Sequence, residues 1–125
     1  MIKRTPIIGT FKIIHMDEWH QDFVDAEVPG FIRFDRHGQG EFQFGYVCGQ
    51  MDCEQTVRNG KPAVEWTFEG NDEMDAIIRR GWAVLRANGS LQGKLSIHNG
   101  DSSGFTAEKV MERKAKPKPG RTKTK

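Results

Sequence analysis

Three turns of this chain collect the residue types that bind and catalyse. Asp35 and His37 border the first, Asn71, Asp72, Glu73 and Asp75 fill the second, and His98 and Asp101 border the third, Asn99–Gly104. Carboxylates grouped with an imidazole suit a cation or a basic ligand. No Asp-x-Asp-x-Asp-Gly loop and no His-Glu-x-x-His run accompanies them, so neither a metal nor a cofactor is expected from the spacing. Asn, Asp, Ser and Gly are also the ordinary material of turns, and a solvated loop is the competing explanation. Cys48 and Cys53 are the only cysteines; their odd separation points them to opposite faces of a strand, and both are expected to be buried or half-buried thiols rather than a disulfide or zinc pair.

Catalytic patterns are sparse. Ser96, Ser102 and Ser103 lie near His98 in sequence without a nucleophile elbow. Asp52, Glu65 and Glu69 offer paired carboxylates for general acid–base work if their face is concave, and otherwise form the wet side of a sheet. Gly38-x-Gly40 reads as a hairpin turn, and no Walker loop or Gly-x-Gly-x-x-Gly opens a helix. Among the tryptophans, Trp66 alternates with Val64 and Phe68 and belongs in a core, Trp82 follows Arg79-Arg80-Gly81 at a barrel mouth, and Trp19 lies in an acidic segment with Asp22.

The elements that position these residues are strands. The chain is organised around Gly30–Thr56, read as two strands about the turn Arg36–Gly40: one from Phe31 to Asp35, the other a long strand from Glu41 to Thr56, interrupted at Gly45 and Gly49. Phe42, Phe44 and Tyr46 share one face of the long strand; Val47, Met51 and Cys53 share the other, a change of face that a bulge or bend produces. Ile7–Met16 precedes this pair as a first strand. Between them, Asp17–Glu27 forms a short helical or turn-like segment, capped by Asp17, that lays Trp19 and Phe23 over a barrel opening. Four more strands follow: Ala63–Glu69, about Ile78–Ala87, Leu91–His98 and Phe105 to Val110 or Met111, with Asn59-Gly60 and Asn88-Gly89 as hairpin turns. About seven strands with short connections predict an all-β, antiparallel up-and-down meander, closed as a barrel or strongly coiled as a sheet.

A meander sends alternate turns to one end. The turns near His37, Asp72 and Asp101 are therefore expected to share an acidic rim, with Arg58, Asn59, Lys61 and Arg86 at the opposite, mildly basic end.

The 125 residues fit one domain over 1–111. Residues 112–125 carry seven Lys/Arg against one Glu, a net +6, while 1–111 carry 12 basic and 16 acidic residues, a net −4. The tail is too polar to order itself and reads as disordered, either solubilising or making weak phosphate contacts with nucleic acid. No apolar run nears the roughly 20 residues that span a bilayer, and no signal-peptide core opens the chain, so a cytoplasmic location without membrane contact is expected.

Trp19-x-x-Asp22-Phe23-x-Asp25, Gly40-Glu41-Phe42-x-Phe44-Gly45, Asp52-Cys53, Glu69-Gly70-Asn71-Asp72-Glu73, Gly81-Trp82 and Gly104-Phe105 occur in this order. In them the chain resembles a group of small uncharacterised bacterial proteins, over about residues 8 to 110. The resemblance implies a bacterial source and a self-contained domain, and brings no activity or catalytic residue. Gly9-Thr10-Phe11 is faintly similar to the Gly-x-Trp of lipocalin-like and avidin-like barrels, with Phe11 in place of the tryptophan. The functional expectation is a non-enzymatic module that binds a small ligand or protein partner through Trp19, Asp22, Asp72, Glu73, Trp82, His98 and Asp101. The alternatives are a hydrolase-like enzyme using carboxylates on a concave face, and a nucleic-acid-associated protein acting through its tail.

Overall fold

A computed structural model describes residues 6–72, 75–98 and 101–110, with the backbone alone at 72, 75, 97, 98 and 101. Eight strands follow one another: β1 (Gly9–Met16), β2 (Phe31–Phe34), β3 (Gln39–Phe44), β4 (Val47–Arg58), β5 (Lys61–Asp72), β6 (Asp75–Leu85), β7 (Leu91–His98) and β8 (Asp101–Lys109). One four-residue helix, α1 (Gln21–Val24), lies between β1 and β2. Each strand pairs antiparallel with the next, and β8 returns to β1, closing a barrel. The expected meander is therefore present, with one strand more than the sequence suggested. The basic tail lies outside the described residues.

The additional strand comes from residues 41–56. They form two strands, β3 and β4, joined by the tight turn Gly45-Tyr46, across which Phe44 faces Val47. Gly45 takes φ +58°, a left-handed conformation that favours glycine, and its amide donates to the Val24 carbonyl at 2.9 Å. The apolar face does not change partway along a strand. A two-residue turn makes Phe44 and Val47 cross-strand partners, so both point inward (0% and 2% exposed).

That turn also reverses the chain once more than expected, and it moves the first loop. Arg36-His37-Gly38 lies at the same end as Asn59-Gly60 and Ala87-Asn88-Gly89, and the turn Gly45-Tyr46 lies at the other end with the termini of β5, β6, β7 and β8 near Asp72, Asp75, His98 and Asp101. Asp35 and His37 therefore do not join the acidic rim. The Asp35 carboxylate instead closes its own turn, accepting the amides of His37 (2.8 Å) and Gln39 (3.0 Å). These two hydrogen bonds hold its pKa below the ordinary carboxylate value.

The barrel interior is filled by side chains. Phe11, Phe34, Phe42, Phe44, Trp66, Phe68 and Phe105 meet inside it with Ile13, Ile32, Met51, Leu91 and Leu95. Edge-on and tilted ring contacts link Phe42 to Phe68 (4.8 Å) and Phe34 to Trp66 (5.5 Å). Each buried phenylalanine contributes about 1.5–3 kcal/mol of transfer free energy, so the aromatic content compensates for a modest apolar fraction. Trp66 is 3% exposed, as its alternation predicted.

Both ends are closed. At one, Trp19 packs on Phe44 (ring centroids 5.0 Å apart), and Phe23 lies between Phe44 (6.5 Å) and Tyr46 (6.0 Å). The aromatic cover read from Trp19 and Phe23 is thus present, although its helix is short and is capped by the His20 position, not by Asp17. The Asp17 side chain meets His15 at 3.1 Å, and its amide donates to the Gly104 carbonyl. At the other end the Gln55 amide clamps Ile7, accepting from its N–H (2.8 Å) and donating to its carbonyl (3.0 Å).

Candidate docking trough on the outer wall

With the interior packed by side chains, the open surface is on the outer wall. A single-faced feature stands out there: an open trough of about 860 Å³ over β4 to β8. Asp52, Glu54 and Arg58 from β4 line it, with Glu65 and Thr67 from β5, Arg80 and Trp82 from β6, Lys94 and Ser96 from β7, and Ser102 from β8. These occupy alternate positions of their strands, the positions that face away from the core, while Cys53, Trp66 and Gly81 of the intervening positions also border the trough. The register places Glu54, Glu65, Trp82 and Lys94 in one row across four strands.

The concavity follows from unequal strand lengths. β3 pairs with β4 only as far as Asp52, whereas β4 and β5 continue together to Arg58 and Lys61. Beyond Asp52 the β4 edge has no β3 alongside it, while β5 keeps β6 as its other neighbour from Ala63 onward. Only Val57–Arg58 with Lys61–Pro62 form a two-stranded tip, and such ribbons twist more strongly than wide sheets. The turn of that tip is formed by Asn59 (φ +52°) and Gly60 (φ +77°), the left-handed pair such a tight turn requires. Next to the tip, Arg58 lays its guanidinium over the Trp82 ring, 3.9 Å from the ring centroid. A cation over an indole face is worth about 0.5–1 kcal/mol at an exposed site. One nitrogen of that guanidinium, Nη1, is shielded from solvent and has no hydrogen-bond partner among the described residues.

Charge is separated along the trough. Asp52, Glu54 and Glu65 lie on the β4–β5 side, Arg80 and Lys94 on the β6–β7 side, and the half-buried Trp82 lies between them under Arg58. Glu54 and Glu65 are direct cross-strand partners, an arrangement in which like charges are unfavourable. The ion pairs among the described residues, Lys12–Asp25, His15–Asp17 and Arg33–Glu41, involve none of these six charged groups. Among the described residues, the trough therefore presents charges of both signs without ion-pair partners around an aromatic plate.

The residues expected to act together do not all meet. Trp19 and the exposed Asp22 belong to the cover. Asp72, His98 and Asp101 are strand termini at that same end, with only their backbones described, and Glu73 lies outside the described residues. Trp82 is separate from these: it is on the outer wall, not at a barrel mouth, in the row of Glu65 and Lys94. Of the carboxylates considered for acid–base chemistry, Asp52 and Glu65 line the trough and Glu69 does not. Sequence reasoning missed Glu54, Arg58 and Lys94; counting outward positions from Trp82 through the β4–β5, β5–β6 and β6–β7 hairpins would have found Glu54 and Lys94, whereas the reach of Arg58 depends on how the β4–β5 hairpin twists.

The cysteines complete the picture. Cys48 faces outward and is exposed, against the expectation of two covered thiols, and Cys53 is half-buried on the inner face. Burial, reinforced by the negative charges of Asp35 and Asp52, pushes the Cys53 thiol up to about 12. No group of three or more His, Cys, Asp or Glu side chains among the described residues is arranged to hold a metal ion. No described helix is long and apolar enough to cross a membrane. In comparisons with known proteins, no family model, curated protein or solved structure matches the chain.

Proposed function

We propose that this protein is a non-enzymatic binding module that takes a protein partner's segment on its outer wall, in the trough centred on Trp82. The observation that carries this reading is the company Trp82 keeps. A half-buried indole on the outer face, under Arg58 and between carboxylates and bases that have no ion-pair partner among the described residues, has the composition of an interface centre, where Trp and Arg dominate affinity. The filled barrel argues against a carrier that encloses a small apolar ligand. A binding role centred on Trp19, Asp22 and the strand termini of the cover end is the weaker version, because Trp19 is already engaged with Phe44.

The test is selection of random peptides displayed on phage against the wild type and a Trp82→Ala variant. Trp82 faces outward, so the variant should keep its melting temperature within a few degrees. Clones enriched on the wild type should bind the variant at least about tenfold more weakly, as expected when a central anchor is truncated. Equal binding of those clones by both proteins would remove the trough from the function.

A further inference from the structure

The trough ends where the barrel wall parts. β6 pairs with β5 along ten consecutive positions, from Val84 back to Asp75, but among the described residues it pairs with β7 only from Gly81 to Leu85. β7 stays with β8 beyond that point, through Ser102 and Asp101, with a register shift between Ser96 and His98. A bulge bends a strand and increases its twist, and this one lies immediately past Leu95, the last β7 residue bonded to β6. From Asp75 to Arg80, β6 therefore presents a backbone margin with no strand on its β7 side among the described residues.

The margin carries its own chemical signature. The Ile78 side chain is 66% exposed, the most exposed large apolar side chain described. The Ile78 carbonyl accepts a hydrogen bond from Nη1 of Arg79 at 2.8 Å, so a side chain occupies the direction in which a neighbouring strand would donate. Arg80 and Lys94 flank the place where pairing stops, and Ser96 and Ser102 line it. A free strand margin offers main-chain hydrogen bonds to an extended peptide, and side chains at alternate positions supply selectivity.

We propose that the β6 margin from Asp75 to Arg80 accepts an extended acidic peptide as an added antiparallel strand. Ile78 and Arg80 face outward two residues apart, so the peptide carries an apolar residue beside Ile78 and, two positions earlier, a carboxylate beside Arg80 and Lys94. The proposal builds on the trough reading, because the acidic end of the peptide enters the trough next to Trp82, and it adds the partner's conformation, direction and charge.

The probe is a fluorescein-labelled peptide Thr-Glu-Thr-Val-Thr-Thr, titrated by fluorescence anisotropy against the full chain. Binding is expected on the order of 100 µM, and at least about tenfold weaker when lysine replaces the glutamate. Arg80→Glu should reverse that preference. Two further peptides, N-methylated at alternate amides, test the strand itself: one set of amides faces β6 and the other faces away. One methylated peptide should lose binding and the other keep it. No binding at about 2 mM, or equal effects of the two methylation patterns, overturns strand addition. If the patterns act equally while Trp82→Ala still weakens the parent peptide, the trough reading survives alone. If the patterns differ and Trp82→Ala has no effect on the peptide, the margin binds it and the trough reading fails.

Discussion

Cys53 and Cys48 are five residues apart on one strand and have opposite chemical fates. The thiolate is the reactive form, and the Cys53 thiol, with its pKa pushed up to about 12 by burial and two nearby carboxylates, holds almost none at neutral pH. Cys48 faces solvent. Treatment of the native protein with a chromogenic disulfide reagent at pH 8 should release one equivalent of thiolate quickly, and the second only after denaturant is added. Rapid release of two equivalents without denaturant would show that the inner face of β4 opens to solvent. The same strand parity decides which carboxylates reach the trough: Asp52 and Glu54 flank Cys53 and face the other way.

At the scale of elements, the turn Gly45-Tyr46 is the joint on which the topology depends. A Cβ added at Gly45 would lie 2.4 Å from ring atoms of Phe23, and the backbone there has a positive φ. Gly45→Val therefore meets both a steric clash with the cover and a strained conformation, and should cost about 2–4 kcal/mol. Denaturant unfolding measures the loss, and near-ultraviolet circular dichroism should report loosening of the Trp19–Phe23–Phe44 cluster. An unchanged midpoint would mean that the cover can lift without cost. Most of the strands were legible because they alternate and are bounded by turn residues. Asn59-Gly60 announced its hairpin directly. Gly45-Tyr46 did not, since tyrosine is a strand former and the change of apolar face between Phe44 and Val47 reads equally as a bulge within one strand. One missed reversal inverted the end assigned to Asp35 and His37. The trough was less legible still: Trp82 and Glu65 were singled out separately, but their common row is set by pairing register, and Arg58 reaches Trp82 through the twist of the Asn59-Gly60 hairpin, whose turn the sequence announces but whose twist it does not.

For the whole molecule, three carboxylates on different parts of the wall share one property. Asp25 accepts the Gly30 amide at 2.7 Å and a second bond from Gln21, Asp35 closes its turn, and Glu41 takes the Arg33 guanidinium at 2.6 Å. All three are held below the ordinary carboxylate pKa, by backbone hydrogen bonds for Asp25 and Asp35 and by the arginine for Glu41. As pH falls below about 4.5, the unfolded chain takes up these protons first. The associated stability is complete above the unfolded values and is lost as pH drops through the lower folded ones. The melting temperature should therefore fall between pH 5 and about pH 2.5, and Asp25→Asn should make that slope shallower. An identical slope in the variant would remove Asp25 from the acid response.

Closure of β8 onto β1 has a practical corollary. The amide of Val110 donates to the carbonyl of Thr10, and the Lys109 ammonium donates to the carbonyl of Ile8, so the first and last described stretches leave the wall side by side. A short glycine–serine bridge from residue 110 to residue 6, with new termini cut in the Ala87–Gly89 loop, would preserve every strand neighbour and leave the Arg58–Trp82 stack undisturbed. The order in which the strands are synthesised would change while the cylinder they enclose did not.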